Sequence, residues 1–276
     1  MNGPVLVGVD GSSSSLAAVE AAAREAVRLG VELGLVHACE WPAASVPPGV
    51  HPWDPGGSGS CGSANGALTE AERRARSAAP AVRVTHTVLM GEAASVLETE
   101  SRGASLTVVG SRPVSRAGSG RRGSVAARLA AHGSSPVLMV RGRPDSAGPV
   151  VLACDDGHVG RRAAEFAFAE ASARETDVVV LNGFATRNGR PRNGLGPHDP
   201  LAALREKYGD VTVRRPRVRG GTRRAVIEAS TQAQLVVVGA RRRGEWPAVL
   251  QATISRAALR RAGCPVAVIH EEGENR

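Results

Sequence analysis

The sequence predicts two tandem, doubly wound α/β domains, and three observations carry that prediction. The first is a repeat. GPVLVGVDGSSSSLAAVEAAAREA, from Gly3, aligns without gaps with GPVVLACDDGHVGRRAAEFAFAEA, from Gly148, at an offset of 145. The second is its return at an offset of 129: LTVVGSR, from Leu106, matches LVVVGAR, from Leu235, and SPVLMV, from Ser135, matches CPVAVI, from Cys264. The third is the alternation of short β-rich runs with alanine-rich stretches of helical spacing inside each copy.

The elements follow in order. Strands are expected in the first copy over residues 5–9, 33–38, 82–88, 106–109 and 136–140, with helices such as Leu16–Leu29 and Ala93–Ser101 between them. The second copy repeats this with strands over 150–154, 178–181, 211–218, 235–238 and 265–269. The nearly continuous apolar strands LTVV and LVVV fit a parallel sheet covered on both faces. The change of offset makes the second copy the shorter. The difference falls on the Pro/Gly/Ser-rich stretch from Trp41 to Gly66, which reads as a long mobile loop. GRPDSAG, Gly142–Gly148, reads as a linker, so the domains are expected over 1–142 and 149–276.

Composition narrows the function classes. Hydrophobic residues make up 42% of the chain, enough for a core and against wholesale disorder. No run approaches the ~18 apolar residues of a membrane helix. The opening MNGPVLVGVDGSSSS lacks a signal-peptide pattern, so the cytoplasm is the expected location. Cys39, Cys61, Cys154 and Cys264 form no CxxC pair and are expected as free thiols in a reducing compartment. His37 and Cys39 would share a strand face, but two ligands do not make a metal site. The formal net charge is +9, and Lys207 is the only lysine. The arginine excess suits a nucleotide, a nucleic acid or an acidic partner, and is equally what a GC-rich genome produces. Aromatic residues at 3% leave few stacking platforms, which speaks against nucleic acid.

In a doubly wound sheet, ligands bind beyond the carboxyl ends of the strands, where the winding switches direction. Two segments fall there. In VGVDGSSSS the first strand ends at Asp10, which either caps the next helix or accepts hydrogen bonds from a ribose or adenine. In VVGSRPVSRAGSGRRGSVAARL the fourth strand ends at Gly110, and Gly123–Ser124 opens a helix from Val125. That helix start offers unpaired amides to an anion, with Arg112, Arg116, Arg121 and Arg122 near it in sequence. The plainer alternative is a flexible loop with Ser124 as a helix cap. No P-loop, HExxH or catalytic triad pattern occurs, and Gly118-x-Gly120-x-x-Gly123 lies too far beyond its strand for a dinucleotide turn.

With these residues the chain resembles the universal stress protein family. The family pattern after strand four, G-x2-G-x9-G-[ST], is met by Gly110 and Gly123–Ser124, with Pro113 in place of the middle glycine. VGVDGS near the start and the closing SPVLMV and CPVAVI strands add to the likeness, which covers the whole chain twice. The resemblance implies an adenine nucleotide alpha hydrolase-like fold: five parallel strands per copy in the order 3-2-1-4-5, with ATP across strands one and four. Asp10 would meet the adenosine, Gly8 would line the floor and Val36 would contact adenine. Gly110, Ser111 and Arg112 would approach the ribose and phosphates, and Gly123, Ser124 and Val125 would hold the phosphates. Mg²⁺ beside the phosphates stays open.

Pro113 removes one amide donor. The second copy reads Gly239, Arg242 and Ala252–Thr253 at the same spacing, so Asp155, Gly239 and Thr253 are its remaining markers. The resemblance further implies a stress-linked nucleotide-binding regulator or sensor with at most slow ATP turnover. It also implies a pairing of final strands that a tandem chain could satisfy internally as a pseudo-dimer; a homodimer stays open. A slow ATP hydrolase and a non-binding structural pseudo-dimer are the alternatives.

Overall fold

The structure, a computed structural model, describes residues 3–39, 64–111, 125–142, 147–154, 160–182, 201–216, 221–241 and 253–271. Two compact units divide the chain, Met1–Val140 and Arg141–Arg276.

The first unit runs β1 (Val5–Gly8), α1 (Ser13–Leu29), β2 (Leu33–Cys39), α2 (Ala64–Ala78), β3 (Val84–Met90), α3 (Ala93–Glu100), β4 (Leu106–Gly110), α4 (Val125–His132) and β5 (Val137–Val140). Its strands are all parallel and lie in the order β3-β2-β1-β4-β5. The second unit runs β6 (Val150–Cys154), α5 (Arg161–Ala173), β7 (Val178–Asn182), α6 (Ala202–Lys207), β8 (Val213–Arg214), α7 (Thr222–Ala229), β9 (Leu235–Arg241), α8 (Thr253–Arg261) and β10 (Val266–Glu271). Its order is β8-β7-β6-β9-β10, again parallel throughout. Each unit therefore has the predicted 3-2-1-4-5 winding, with its switch point between the first and fourth strands.

Two glycines show how the helices of the first unit cover both sheet faces. Val7 pairs with Val108, so Gly110, two residues on, shares the face of Val7, while Gly8 takes the other. A Cβ on Gly110 would fall on the Ser14 carbonyl oxygen of α1, and one on Gly8 would lie 2.8 Å from Leu97 Cδ1 of α3. Hence α1 covers one face and α3 the other, with α2 packed on α1 and α4 on α3. Between them Val5, Val7, Leu33, Leu35, Leu106 and Val108 are buried, consistent with the fully apolar strands.

Local chemistry sets the helix ends. Ser12 caps α1 by accepting from the Ser15 amide, so the helix starts at Ser13, three residues earlier than the expected Leu16. Gly30 closes α1 at φ 67°, its amide and that of Val31 returning to Val27 and Ala26 carbonyls. Strand β3 starts at Val84 rather than Val82, because the Val82 amide is held in a turn by the Ala79 carbonyl. The same happens before β8, where the Val211 amide bonds Tyr208.

Three residues of the expected loop 41–66 are helical, since α2 begins at Ala64; residues 41–63 lie outside the described ones. Helix α2 buries a stripe of Ala64, Leu68, Ala71 and Ala75, and its exposed face is laced by Glu70–Arg73, Glu70–Arg74 and Glu72–Arg76 pairs. Hydrogen bonds from Arg73 and then Arg74 hold the Glu70 carboxyl down at about 2. Gly66, exposed in the first turn of α2, has open space where a Cβ would go. Gly66→Ala is therefore expected to raise stability by about 0.5–1 kcal/mol in urea unfolding, and a loss would contradict the helical assignment at that position.

The repeat extends to buried polar contacts. Glu25 and Glu170, aligned in the sequence, are both buried and paired with an arginine near the end of their helix, Arg28 and Arg174. Ser101 accepts from the Ser134 amide and donates to the Glu98 carbonyl; Ser230 makes the same two bonds to Gly263 and Ile227. That hydroxyl ties the end of the third helix to the turn before the last strand in both units.

Two thiol expectations part ways. Cys264 is free and buried, and burial pushes its thiol up to about 12, so it stays protonated. Cys39 is disulfide-bonded, which corrects the free-thiol reading and removes its support for a reducing compartment. Disulfide partners are chosen by the fold, so the lack of a CxxC spacing gave no warning. Among the described residues, no helix is long and apolar enough to cross a membrane.

Candidate functional site

The switch point of the first unit lies between the carboxyl ends of β1 and β4. Beyond β1 the chain makes a compact polar turn. The Asp10 Oδ1 accepts from the Ser12 amide at 3.0 Å and from the Ser12 hydroxyl at 2.5 Å. The Ser12 Oγ in turn contacts Ser14 Oγ at 3.1 Å and accepts from the Ser15 amide at 3.2 Å. Ser15 Oγ donates to the Ser12 carbonyl at 3.0 Å. Asp10 is thus exposed at the strand end and does not cap α1; it orients Ser12, which does. Gly11, at φ 74°, lets the chain turn between them. The four-serine run builds this turn, and it places one carboxylate at the mouth of the switch point.

Gly110 ends β4 directly behind this turn. The site beside its Cα belongs to α1: the Ser14 carbonyl and, at 3.0 Å, the Ser15 amide nitrogen occupy the place of a side chain. The Ser111 amide is committed to the Val140 carbonyl at 3.0 Å. It extends the β4–β5 ladder and is not available to a phosphate, so Ser111 could contribute only its half-buried side chain.

Of the other expected residues, Gly8 leaves room for Leu97 of α3, as described. Val36 is buried on β2, pairs with Gly8 in register and accepts from the Val9 amide through its carbonyl at 2.9 Å. It shares the Gly8 face, on which α3 packs. Val125 is the first residue of α4. Arg112, Pro113, Gly123 and Ser124 lie outside the described residues, so of the residues expected at the phosphates the structure describes Gly110, Ser111 and Val125.

His37, next to Val36, points to the opposite face; its Nδ1 is buried without a hydrogen-bond partner. With Cys39 taken up in a disulfide, the two cannot act together as metal ligands. No group of three or more His, Cys, Asp or Glu side chains among the described residues could hold a metal ion.

In the second unit, Asp155 lies outside the described residues. Gly239 sits on β9 in register with Ile269 of β10, and Thr253 is the first residue of α8. Residues 155–159, which follow β6, lie outside the described residues. Helix α5 starts only at Arg161, behind Gly160, with no side-chain cap. In the sequence, Gly157, His158, Val159 and Gly160 stand at the positions of the four serines Ser12, Ser13, Ser14 and Ser15.

One set of residues escaped sequence reasoning. Arg128 of α4 donates to Glu92, Ser95 and Glu98 at 2.9, 3.0 and 3.3 Å, joining α4 to α3. The partners are 30 or more positions away, so no local motif marks them. Laying one copy on the other would have flagged them as a group that the second copy lacks.

The family pattern of the universal stress proteins matches residues 1–141 and again 147–270. The chain belongs to the universal stress protein family. A universal stress protein of Mycolicibacterium smegmatis is 32% identical over 293 residues, covering 96% of each chain. A solved universal stress protein of Archaeoglobus fulgidus shares the fold with a TM-score of 0.72 at 17% identity, over 99% of this chain and 98% of its own. Another universal stress protein, solved in complex with cAMP, is 28% identical and covers 51% of this chain and 97% of its own, with a TM-score of 0.40. As a universal stress protein with two family units, the chain is a tandem member.

Proposed function

We propose that the first unit, taken as residues 1–142, binds an adenine nucleotide such as ATP, and that this universal stress protein works as a nucleotide-dependent regulator or sensor rather than as an enzyme. The observation that carries the reading is the Asp10 turn. An exposed carboxylate is fixed by Ser12 at the end of β1, at the switch point, with β4 ending immediately behind it. A carboxylate so placed accepts hydrogen bonds from ribose hydroxyls or an adenine amine. The triphosphate would run toward the start of α4, where Gly123, Ser124 and Val125 supply amides and a hydroxyl, and Arg112 a charge. Mg²⁺, where taken, would be held chiefly by the phosphates, as expected for a small cation that keeps its own water.

The second unit, taken as residues 149–276, retains Asp155, Gly239 and Thr253, but its sequence lacks the serines that build the Asp10 turn and its helix α5 has no side-chain cap, which favours its having lost tight binding. We assign it a supporting role, as the second half of an internal pseudo-dimer. Slow ATP hydrolysis is the second reading; it would need a positioned base, for which Asp10 is the candidate, and usually a metal.

Equilibrium dialysis with labelled ATP tests the site. Asp10→Ala and Gly123→Ala are each expected to weaken ATP binding at least about tenfold, since each removes or crowds a contact of ~1.5 kcal/mol or more. Unchanged affinity in both removes the site.

A further inference from the structure

We propose that Arg128 is a positioning residue for the phosphates of the first unit: its three-pronged clamp onto α3 sets where the start of α4 stands relative to β1. This rests on the nucleotide reading above and adds the part of the protein that controls it.

The clamp is specific in geometry. The Arg128 Nη1 donates to Glu92 Oε2, Nη2 to Ser95 Oγ and Nε to Glu98 Oε2. Ser95 Oγ also donates to Glu92 Oε2 at 3.1 Å, so the four side chains form one connected network. Glu92 stands at the N-cap position of α3 yet makes no side-chain cap; its carboxylate is turned to α4 instead. A guanidinium can serve three acceptors at once because its donors are fixed in one plane. The network leads on to the site. Between Ser95 and Glu98, Leu97 packs over Gly8 of β1, two residues before Asp10. At the other end, Arg128 lies in the first turn of α4, which begins at Val125, the residue that follows Gly123–Ser124 in the sequence.

The second unit provides an internal comparison. The offset of 129 that aligns α3 with α7 and Ser101 with Ser230 also places Gly221, Arg224, Ile227 and Ala257 at the positions of Glu92, Ser95, Glu98 and Arg128. Every member of the clamp is gone. The Ser101 and Ser230 bonds, which serve folding, are kept in both units. The copy without the clamp is also the copy whose pattern reads Ala252–Thr253 instead of Gly123–Ser124. Arg128 therefore goes with the phosphate pattern and not with the fold.

Titration calorimetry of the full chain with ATP and with adenosine tests this. Arg128→Ala is expected to lower ATP affinity about tenfold while leaving adenosine affinity unchanged, because only the phosphate end is misplaced. Arg128→Lys keeps the charge but not the fork, and is expected to recover little. Glu92→Gln removes a negative charge, which by charge alone would raise ATP affinity; positioning requires a fall. It also leaves Arg128 in place should Arg128→Ala fail to fold. An unchanged ratio of ATP to adenosine affinity in the folded variants, full recovery by lysine, or tighter ATP binding in Glu92→Gln overturns the proposal while the site stands. Failure of the wild-type chain to bind ATP overturns both.

Discussion

Phe168→Ala is expected to destabilise the second unit by about 3–5 kcal/mol, the cost of emptying a fully buried aromatic position. Phe168 is the largest fully buried side chain described, on the inner face of α5, with the Tyr208 ring 6.0 Å away at the end of α6. Helix α6 is only six residues long and that corner is closed by few large apolar side chains, Leu201, Leu204 and Phe168 among them. Neighbouring alanines Ala164, Ala167 and Ala171 cannot expand to fill the gap. Urea unfolding followed by circular dichroism should show an early transition for one unit alone. ATP affinity of the folded protein should stay unchanged, since Phe168 belongs to the copy not assigned the nucleotide. A loss below about 1 kcal/mol would contradict the packing described.

Gly110→Ala is expected to cost about 3 kcal/mol, toward the upper end for overpacking. The reason is that the obstacle is backbone. The new methyl would meet the Ser14 carbonyl and Ser15 amide, which belong to the first turn of α1 and cannot rotate away. Relief requires α1 to slide, and with it the Ser12 cap and the Asp10 turn. The substitution should therefore lower ATP affinity together with stability. Stability lost with ATP binding intact would separate Gly110 from the site and make it a packing residue only.

These positions show what the sequence could and could not convey. The strands were legible because nearly unbroken apolar runs such as LTVV and LVVV admit few other readings, and the repeat checked each by its twin. The start of α1 was misplaced because apolar spacing begins at Leu16, whereas the helix begins where Ser12 finds the Ser15 amide. Helix α2 was not singled out because its buried face is mostly alanine, which has helical spacing but little hydrophobic contrast. Gly110 is expected from the sequence to approach a ribose or phosphate; the group the structure places against its Cα is the Ser14 carbonyl, a neighbour that no local spacing announces. Asp10 had two readings, and the structure supplied a third element, a serine that caps in its place. The Arg128 clamp joins residues 30 or more positions apart and leaves no local spacing to read, and the Cys39 disulfide has no CxxC spacing to announce it.

The central claim is that the first unit of this universal stress protein holds an adenine nucleotide at the end of β1. Native mass spectrometry of gently purified protein, with ATP added at millimolar concentration, tests it most directly. The account predicts one adenine nucleotide per chain, lost in Asp10→Ala. A chain that stays free of nucleotide under these conditions, or one that holds it equally well without Asp10, would contradict it.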